Sequence, residues 1–219
     1  MKHYTFVAIA LVAVVAGAVY LTQPREQAKG IKIGAVLSIT GSAAADAEQI
    51  KRGIDMARAD LAARGVTLDI VVEDDGTDAK KTVSAFEKLA AVDGVDFIIG
   101  PTWSFLGDAA APVIERTGVP TFAPALTSEY STPGKNIFFG SLKNSERASS
   151  IATWMQEQKI KKVAVIVDNG SWGLSILPAF KEAAQRAGVE VVYESKVQPF
   201  SADPVEVARE LAQVKARGA

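Results

Sequence analysis

Ser104 and Thr127 each follow a short apolar run that ends in a glycine or proline turn, in Ile98-Ile99-Gly100-Pro101-Thr102-Trp103-Ser104 and Val119-Pro120-Thr121-Phe122-Ala123-Pro124-Ala125-Leu126-Thr127. A hydroxyl at such a turn donates and accepts hydrogen bonds without attacking its partner, which suits the holding of a small polar ligand. In an open α/β sheet, ligands lie beyond the carboxyl ends of the strands, where loop N–H groups and helix N-termini are unpaired. Both hydroxyls fall at such ends. Plainer roles are open to them as well: Ser104 as a helix N-cap, and Thr127 with Ser128 as a turn or capping pair.

Groups for covalent chemistry are scarce. The chain has no cysteine, which excludes disulfides, thiolate metal sites and cysteine nucleophiles. Its one histidine is His3, outside the folded part, so no imidazole activates a serine or ligates a metal there. Ser171 and Ser175 lie near Gly173 without the G-x-S-x-G elbow of a hydrolase. No G-x-G-x-x-G follows the first strand and no Walker lysine motif occurs, which weakens a dehydrogenase or nucleotidase reading. Asp74, Asp75 and Asp78 invite a metal or phosphoacceptor reading, but they follow the second strand, where turn and cap roles are expected. A formal net charge of -1 leaves no electrostatic footprint for nucleic acid. Neither catalysis, a cofactor nor a metal is expected.

The elements that must position the hydroxyls are visible as an alternation. Short β-rich runs at residues 33–39, 68–73, 95–100, 120–123, 137–139, 163–167 and 189–193 are separated by helical runs. Apolar residues recur at helical spacing as Ile50, Ile54, Ala57 and Leu61, then Val83, Phe86, Leu89 and Ala90, then Ile151, Trp154 and Met155, and then Val207, Leu211 and Val214. This alternation predicts an α/β fold of parallel sheets covered by helices. Asp78 and Ser145 are expected N-caps, and Gly65, Gly94, Gly118 and Gly188 sit where left-handed C-cap residues are wanted.

Gly134-Lys135-Asn136 and Phe139-Gly140-Ser141-Leu142-Lys143-Asn144 interrupt the pattern and read as a crossover between two lobes. The expected division is residues 1–29 as a leader, 30–140 as a first lobe and 141–219 as a partial second lobe. The second would hold two strands where four to six are usual. In the leader, Lys2 precedes an apolar run at residues 6–21, short for a bilayer span of about 20 residues and longer than a minimal signal core. Ala16-Gly17-Ala18 has small-x-small spacing, yet Val19-Tyr20-Leu21 continues the run. A removed signal peptide and a retained transmembrane anchor both fit, and either places the rest in the periplasm or otherwise outside the cytoplasm.

These segments together resemble the type I periplasmic binding proteins, specifically the branched-chain amino-acid-binding (Leu/Ile/Val-binding) group of ABC importers. The likeness covers residues 31–219. It rests on Ile33-Gly34-Ala35-Val36-Leu37-Ser38-Ile39-Thr40-Gly41, on Val72-Glu73-Asp74-Asp75-Gly76-Thr77-Asp78, on the two hydroxyl-bearing segments above, and on Val163-Ala164-Val165-Ile166-Val167-Asp168-Asn169-Gly170-Ser171-Trp172-Gly173. The resemblance implies two Rossmann-like lobes with a ligand between them, the second incomplete. It implies a ligand carboxylate on Ser104 and Thr127, an ammonium on the carbonyl of Ala125, and closure by Trp172, with Trp103 beside the site. Charge-assisted bonds of this kind contribute about 1.5 to 3 kcal/mol each. The implied ligand is an amino acid or amino-acid-like solute, and the implied partner is an ABC permease.

Departures from the family are expected to matter. The first loop, Thr40-Gly41-Ser42-Ala43-Ala44-Ala45-Asp46, lacks the family's aromatic wall. The acidic partner of the ammonium and a second aromatic belong to segments beyond Ala219, so the resemblance implies a truncated member. Trp103 and Trp172 read equally well as core fillers. Two other classes are alternatives: an extracytoplasmic sensor domain, and a Rossmann-like enzyme lacking its phosphate loop.

Overall fold

A computed structural model describes residues 30–124, 134–197 and 203–218. Ala125 and Thr127, and the leader at 1–29, lie outside the described residues. Among the described residues no helix is long and apolar enough to cross a membrane.

The β-rich runs form seven strands among the described residues: β1 (Ile31–Leu37), β2 (Leu68–Asp74), β3 (Phe97–Ile99), β4 (Thr121–Ala123), β5 (Ile137–Phe139), β6 (Lys162–Asp168) and β7 (Glu190–Val197). Between them lie α1 (Ala44–Ala63), α2 (Ala79–Ala91), α3 (Ser104–Thr117), α4 (Asn144–Glu157) and α5 (Ser171–Arg186), with α6 (Pro204–Ala216) after β7. The strands make a five-stranded sheet in the order β2-β1-β3-β4-β5 and a two-stranded sheet, β6-β7. Every pairing is parallel, which requires a crossover connection between paired strands that follow one another in the chain.

The order matters for function. After β1 the chain moves to β2 at one edge, then returns to β3 on the other side of β1. The loops leaving β1 and β3 therefore diverge, and a crevice opens between them at the carboxyl ends of the strands.

Helices cover both faces of this sheet. On one, Phe86 and Leu89 of α2 and Ala110 and Ile114 of α3 pack on Val36, Ile98 and Ala123. On the other, Ala47, Ile50 and Ile54 of α1 cover Ala35 and Leu37. Asp78 caps α2, accepting from the N–H groups of Lys80 and Lys81, and Gly65, Gly94, Gly118 and Gly188 all take the left-handed φ expected of them.

Three expectations are corrected. First, the helix after β3 begins at Ser104 itself, so its N-cap is Trp103 and not Ser104. Second, Ser145 is not the cap of α4, which starts one residue earlier at Asn144. Third, Ile151 and Trp154 of α4 are exposed, as are Val207 and Leu211 of α6. The buried stripe of α4 is instead Ala148, Ala152 and Met155, packed on Ala183 and Ala184 of α5. Alanine lets two helix backbones approach closely, so the narrow small-residue face forms the contact and the bulkier face is left outward. Beneath α5, Leu177 packs on Val165 and Val167 of β6. The Tyr193 hydroxyl of β7 donates to Glu210 Oε2 of α6 at 2.8 Å.

Candidate functional site

Three loops at the carboxyl end of the five-stranded sheet are tied together by polar side chains. Asp75 is fully buried; its Oδ1 accepts from Ser38 Oγ at 2.6 Å and from the Thr77 N–H at 2.9 Å, and its Oδ2 accepts from Thr82 Oγ1 at 3.1 Å. The Ser38 N–H in turn donates to Thr102 Oγ1 at 3.0 Å. Asp74 accepts from both the N–H and the hydroxyl of Thr40. The aspartates that follow β2 are thus occupied as turn braces. Gly100, at φ +129°, lies so close to β1 that a Cβ would stand 2.2 Å from the carbonyl oxygen of Val36. Only glycine allows the exit of β3 to run against β1 in this way.

This bracing delivers Ser104 to the first position of α3. The N-cap residue is Trp103, whose backbone is extended and whose side chain makes no capping bond, so the capping role open to Ser104 in the sequence is not the one it plays. Ser104 is 9% exposed, and among the described residues its hydroxyl takes no hydrogen bond. It lies in the first turn of α3, where backbone N–H groups and the helix dipole favour negative charge.

A second uncapped helix start comes from the two-stranded sheet. Asp168, at the end of β6, accepts from the Gly170 N–H at 2.8 Å and so turns the chain into α5. Gly170 is the N-cap and gives α5 no side-chain cap. A Cβ on Gly173 would stand 2.0 Å from the carbonyl oxygen of Asp168, so this turn tolerates only glycine. The Ser175 hydroxyl donates to the Trp172 carbonyl at 2.8 Å and accepts from Asn144 Nδ2 at 2.6 Å, fastening the start of α5 to the start of α4.

The two helix starts face one cleft of about 750 Å³. From the β3 side it is lined by Thr102, Trp103, Ser104 and Phe105, and from the β6 side by Asp168, Gly170, Ser171 and Trp172. Asp46, Gln49 and Ile50 of α1 close a third side, with Pro124 at the exit of β4. The structure therefore brings together Trp103, Ser104 and Trp172 of the residues singled out in the sequence. Ala125 and Thr127 follow Pro124 directly but lie outside the described residues. Sequence reasoning missed Asp46, Asp168 and Ser171 as cleft residues. The rule that ligands gather at strand carboxyl ends, applied to β1 and β6 as it was to β3, would have found them.

Electrostatics in the cleft are one-sided. Among the described residues Asp46 and Asp168 line it, and no lysine or arginine does. Burial pushes the Asp108 carboxyl of α3 above the ordinary carboxylate range, and the nearby Ser171 hydroxyl pulls it partly back. Hydroxyls and aromatic faces make up most of the rest of the described lining.

A family model described as periplasmic binding protein matches residues 30–219. The chain belongs to the periplasmic binding protein family. Within the family, curated relatives that it is similar to carry Leu/Ile/Val-binding names. It is 30% identical over 180 residues to Leu/Ile/Val-binding protein homolog 3 of Brucella melitensis, an alignment that covers 79% of this chain and 49% of the relative. Among solved structures, a solute-binding protein from R. palustris in complex with 4-hydroxybenzoate superposes with a TM-score of 0.78 at 22% identity, over 87% of this chain and 52% of that one. The leucine-binding protein LivK of Thermotoga maritima gives a TM-score of 0.73 at 20% identity, over 83% and 53%. Both share the fold. This periplasmic binding protein spans about half the length of the curated relatives it matches.

Proposed function

We propose that the protein is an extracytoplasmic solute-binding component of an ABC importer that takes an amino acid or similar small polar solute into the cleft and presents it to a membrane permease. The observation that carries this reading is Ser104: a nearly buried hydroxyl, without a partner among the described residues, at the start of α3, which faces the start of α5 across the cleft. Such an arrangement receives a carboxylate and releases it again, because no bond in it is covalent. The Leu/Ile/Val-binding names of the curated relatives support an amino acid as the solute.

In this reading residues 30–140 and 141–219 act as two lobes. The ligand carboxylate is held by Ser104 and Thr127, its ammonium by the carbonyl of Ala125, and Trp172 with Trp103 closes over it. Closure is an equilibrium biased by contacts that only the closed state makes. The apolar run at residues 6–21 serves as export signal or anchor, in keeping with the periplasmic setting of the family. The chain performs no reaction and needs no cofactor.

Calorimetric titration with a panel of α-amino acids tests the reading. Ser104→Ala and Thr127→Ala are each expected to weaken binding at least tenfold, about 1.4 kcal/mol, while the circular dichroism of the chain is retained. Unchanged affinity in both variants would remove the site.

A further inference from the structure

The cleft carries more negative charge than an uncharged side chain would call for. Asp46 and Asp168 reach it from different sheets, one in the first turn of α1 and one at the end of β6. Each has spent only one oxygen. Asp46 Oδ2 accepts from the Trp103 indole at 2.7 Å, and Asp168 Oδ1 accepts from the Gly170 N–H. Among the described residues neither carboxylate makes an ion pair, and no lysine or arginine lines the cleft. The segment that follows Pro124, residues 125–133, contains no lysine or arginine in its sequence either.

The same cleft presents three aromatic side chains, Trp103, Phe105 and Trp172. Ring faces attract cations, most strongly when the site is desolvated, and carboxylates with a free oxygen beside them add charge-assisted acceptors. Ser104 and the starts of α3 and α5 already provide for a ligand carboxylate. One aspartate offsets an α-ammonium, which leaves the second without a counter-charge. A leucine zwitterion would leave it unmatched, and an aromatic carboxylate would add a third negative group.

We infer that the cleft takes an amino acid whose side chain carries a cation, an ammonium or a guanidinium, with Asp46 and Asp168 as counter-charges and the aromatic rings as its walls. This rests on the solute-binding reading above and narrows it to ligands of net positive charge.

The test uses the whole 219-residue chain, with two of its tryptophans, Trp103 and Trp172, in the cleft as reporters. Fluorescence and calorimetric titrations compare arginine and lysine with citrulline and norleucine, their uncharged counterparts of similar length, and with benzoate. The expected result is that arginine or lysine binds at least tenfold more tightly than its uncharged counterpart. Asp46→Asn and Asp168→Asn should each cut that ratio at least threefold, with melting curves showing that the variants fold. Citrulline or norleucine binding as tightly as the charged ligands overturns the inference and leaves the amino-acid reading standing. Preference for benzoate over all four, or no binding of any amino acid, removes the amino-acid reading and the inference with it.

Discussion

The indole N–H of Trp103 donates to Asp46 Oδ2 at 2.7 Å, joining the residue before α3 to the first turn of α1 across 57 positions of chain. The bond bridges the two loops that diverge from β1 and β3, and so spans the crevice in which a ligand would lie. Trp103→Phe keeps an aromatic ring, smaller than the indole, and removes the donor. Because the pair is partly open to water, the expected loss is about 0.5 to 1 kcal/mol, read as a lower urea midpoint with an unchanged slope. A midpoint equal to that of the parent would show that the bond does not brace the loops.

Asp75 is the buried node beneath the same loops, accepting from Ser38, Thr77 and Thr82. Asp75→Asn replaces one acceptor oxygen with a donor and leaves a buried hydroxyl unmatched. The expected destabilisation is about 2 to 4 kcal/mol. The effect should extend to the cleft, because Ser38 also holds Thr102, so proteolysis or hydrogen exchange should find residues 100–104 opened in this variant.

Two glycine substitutions should move stability in opposite directions. A Cβ on Gly173 would overlap the Asp168 carbonyl at 2.0 Å, whereas one on Gly53, inside α1, meets nothing within 4 Å. Gly173→Ala is expected to lose about 2 to 4 kcal/mol through forced displacement of the β6–α5 turn. Gly53→Ala should gain about 0.5 to 1 kcal/mol from helix propensity. Thermal melting of both variants compares them directly.

Stability should respond to acid through groups of opposite sign. At Asp74, burial works to raise the pKa, but hydrogen bonds from Thr40 and Gly76 hold it below the ordinary range. At Asp78 the Lys81 N–H, with that of Lys80, lowers it. Such carboxylates contribute stability above the unfolded value of about 3.9, and the contribution is lost as pH falls through the lower folded value. Asp108 is the reverse: burial raises its pKa, so it detracts from stability as pH rises from about 3.9 through the higher folded value. Urea midpoints measured from about pH 3 to pH 7 should therefore show Asp78→Asn less stable than the parent near neutrality and converging with it in acid. Asp108→Asn should be more stable near neutrality and converge likewise. Parallel curves for all three proteins would contradict the assignment.

Much of the scaffold was legible because its signals are local. Short β-rich runs bounded by turn residues marked all seven described strands to within a few residues, and Asp78 announced itself as a cap by its place before α2. The outward face of α4 was misread because Ile151 and Trp154 satisfy helical spacing as well as Ala148 and Ala152 do. Periodicity identifies a stripe; which stripe is buried depends on the neighbour, here the alanines of α5. Ser104 was found by its position after β3, yet that it is left without a cap to make is visible only once α3 is seen to begin at that residue.

The order of elements along the chain, the absence of cysteine, the single histidine at position 3, and the placement of Ser104 at a strand end were decided by the sequence alone, since each follows from residue type and near neighbours. The meeting of Asp46 with Trp103, and of both with Asp168 and Trp172 in one cleft, was decided only by the tertiary structure. Those residues come from loops far apart in the chain, and only the return of the chain from β2 to β3 across β1, with the packing of α5 on the second sheet, carries them to a common space.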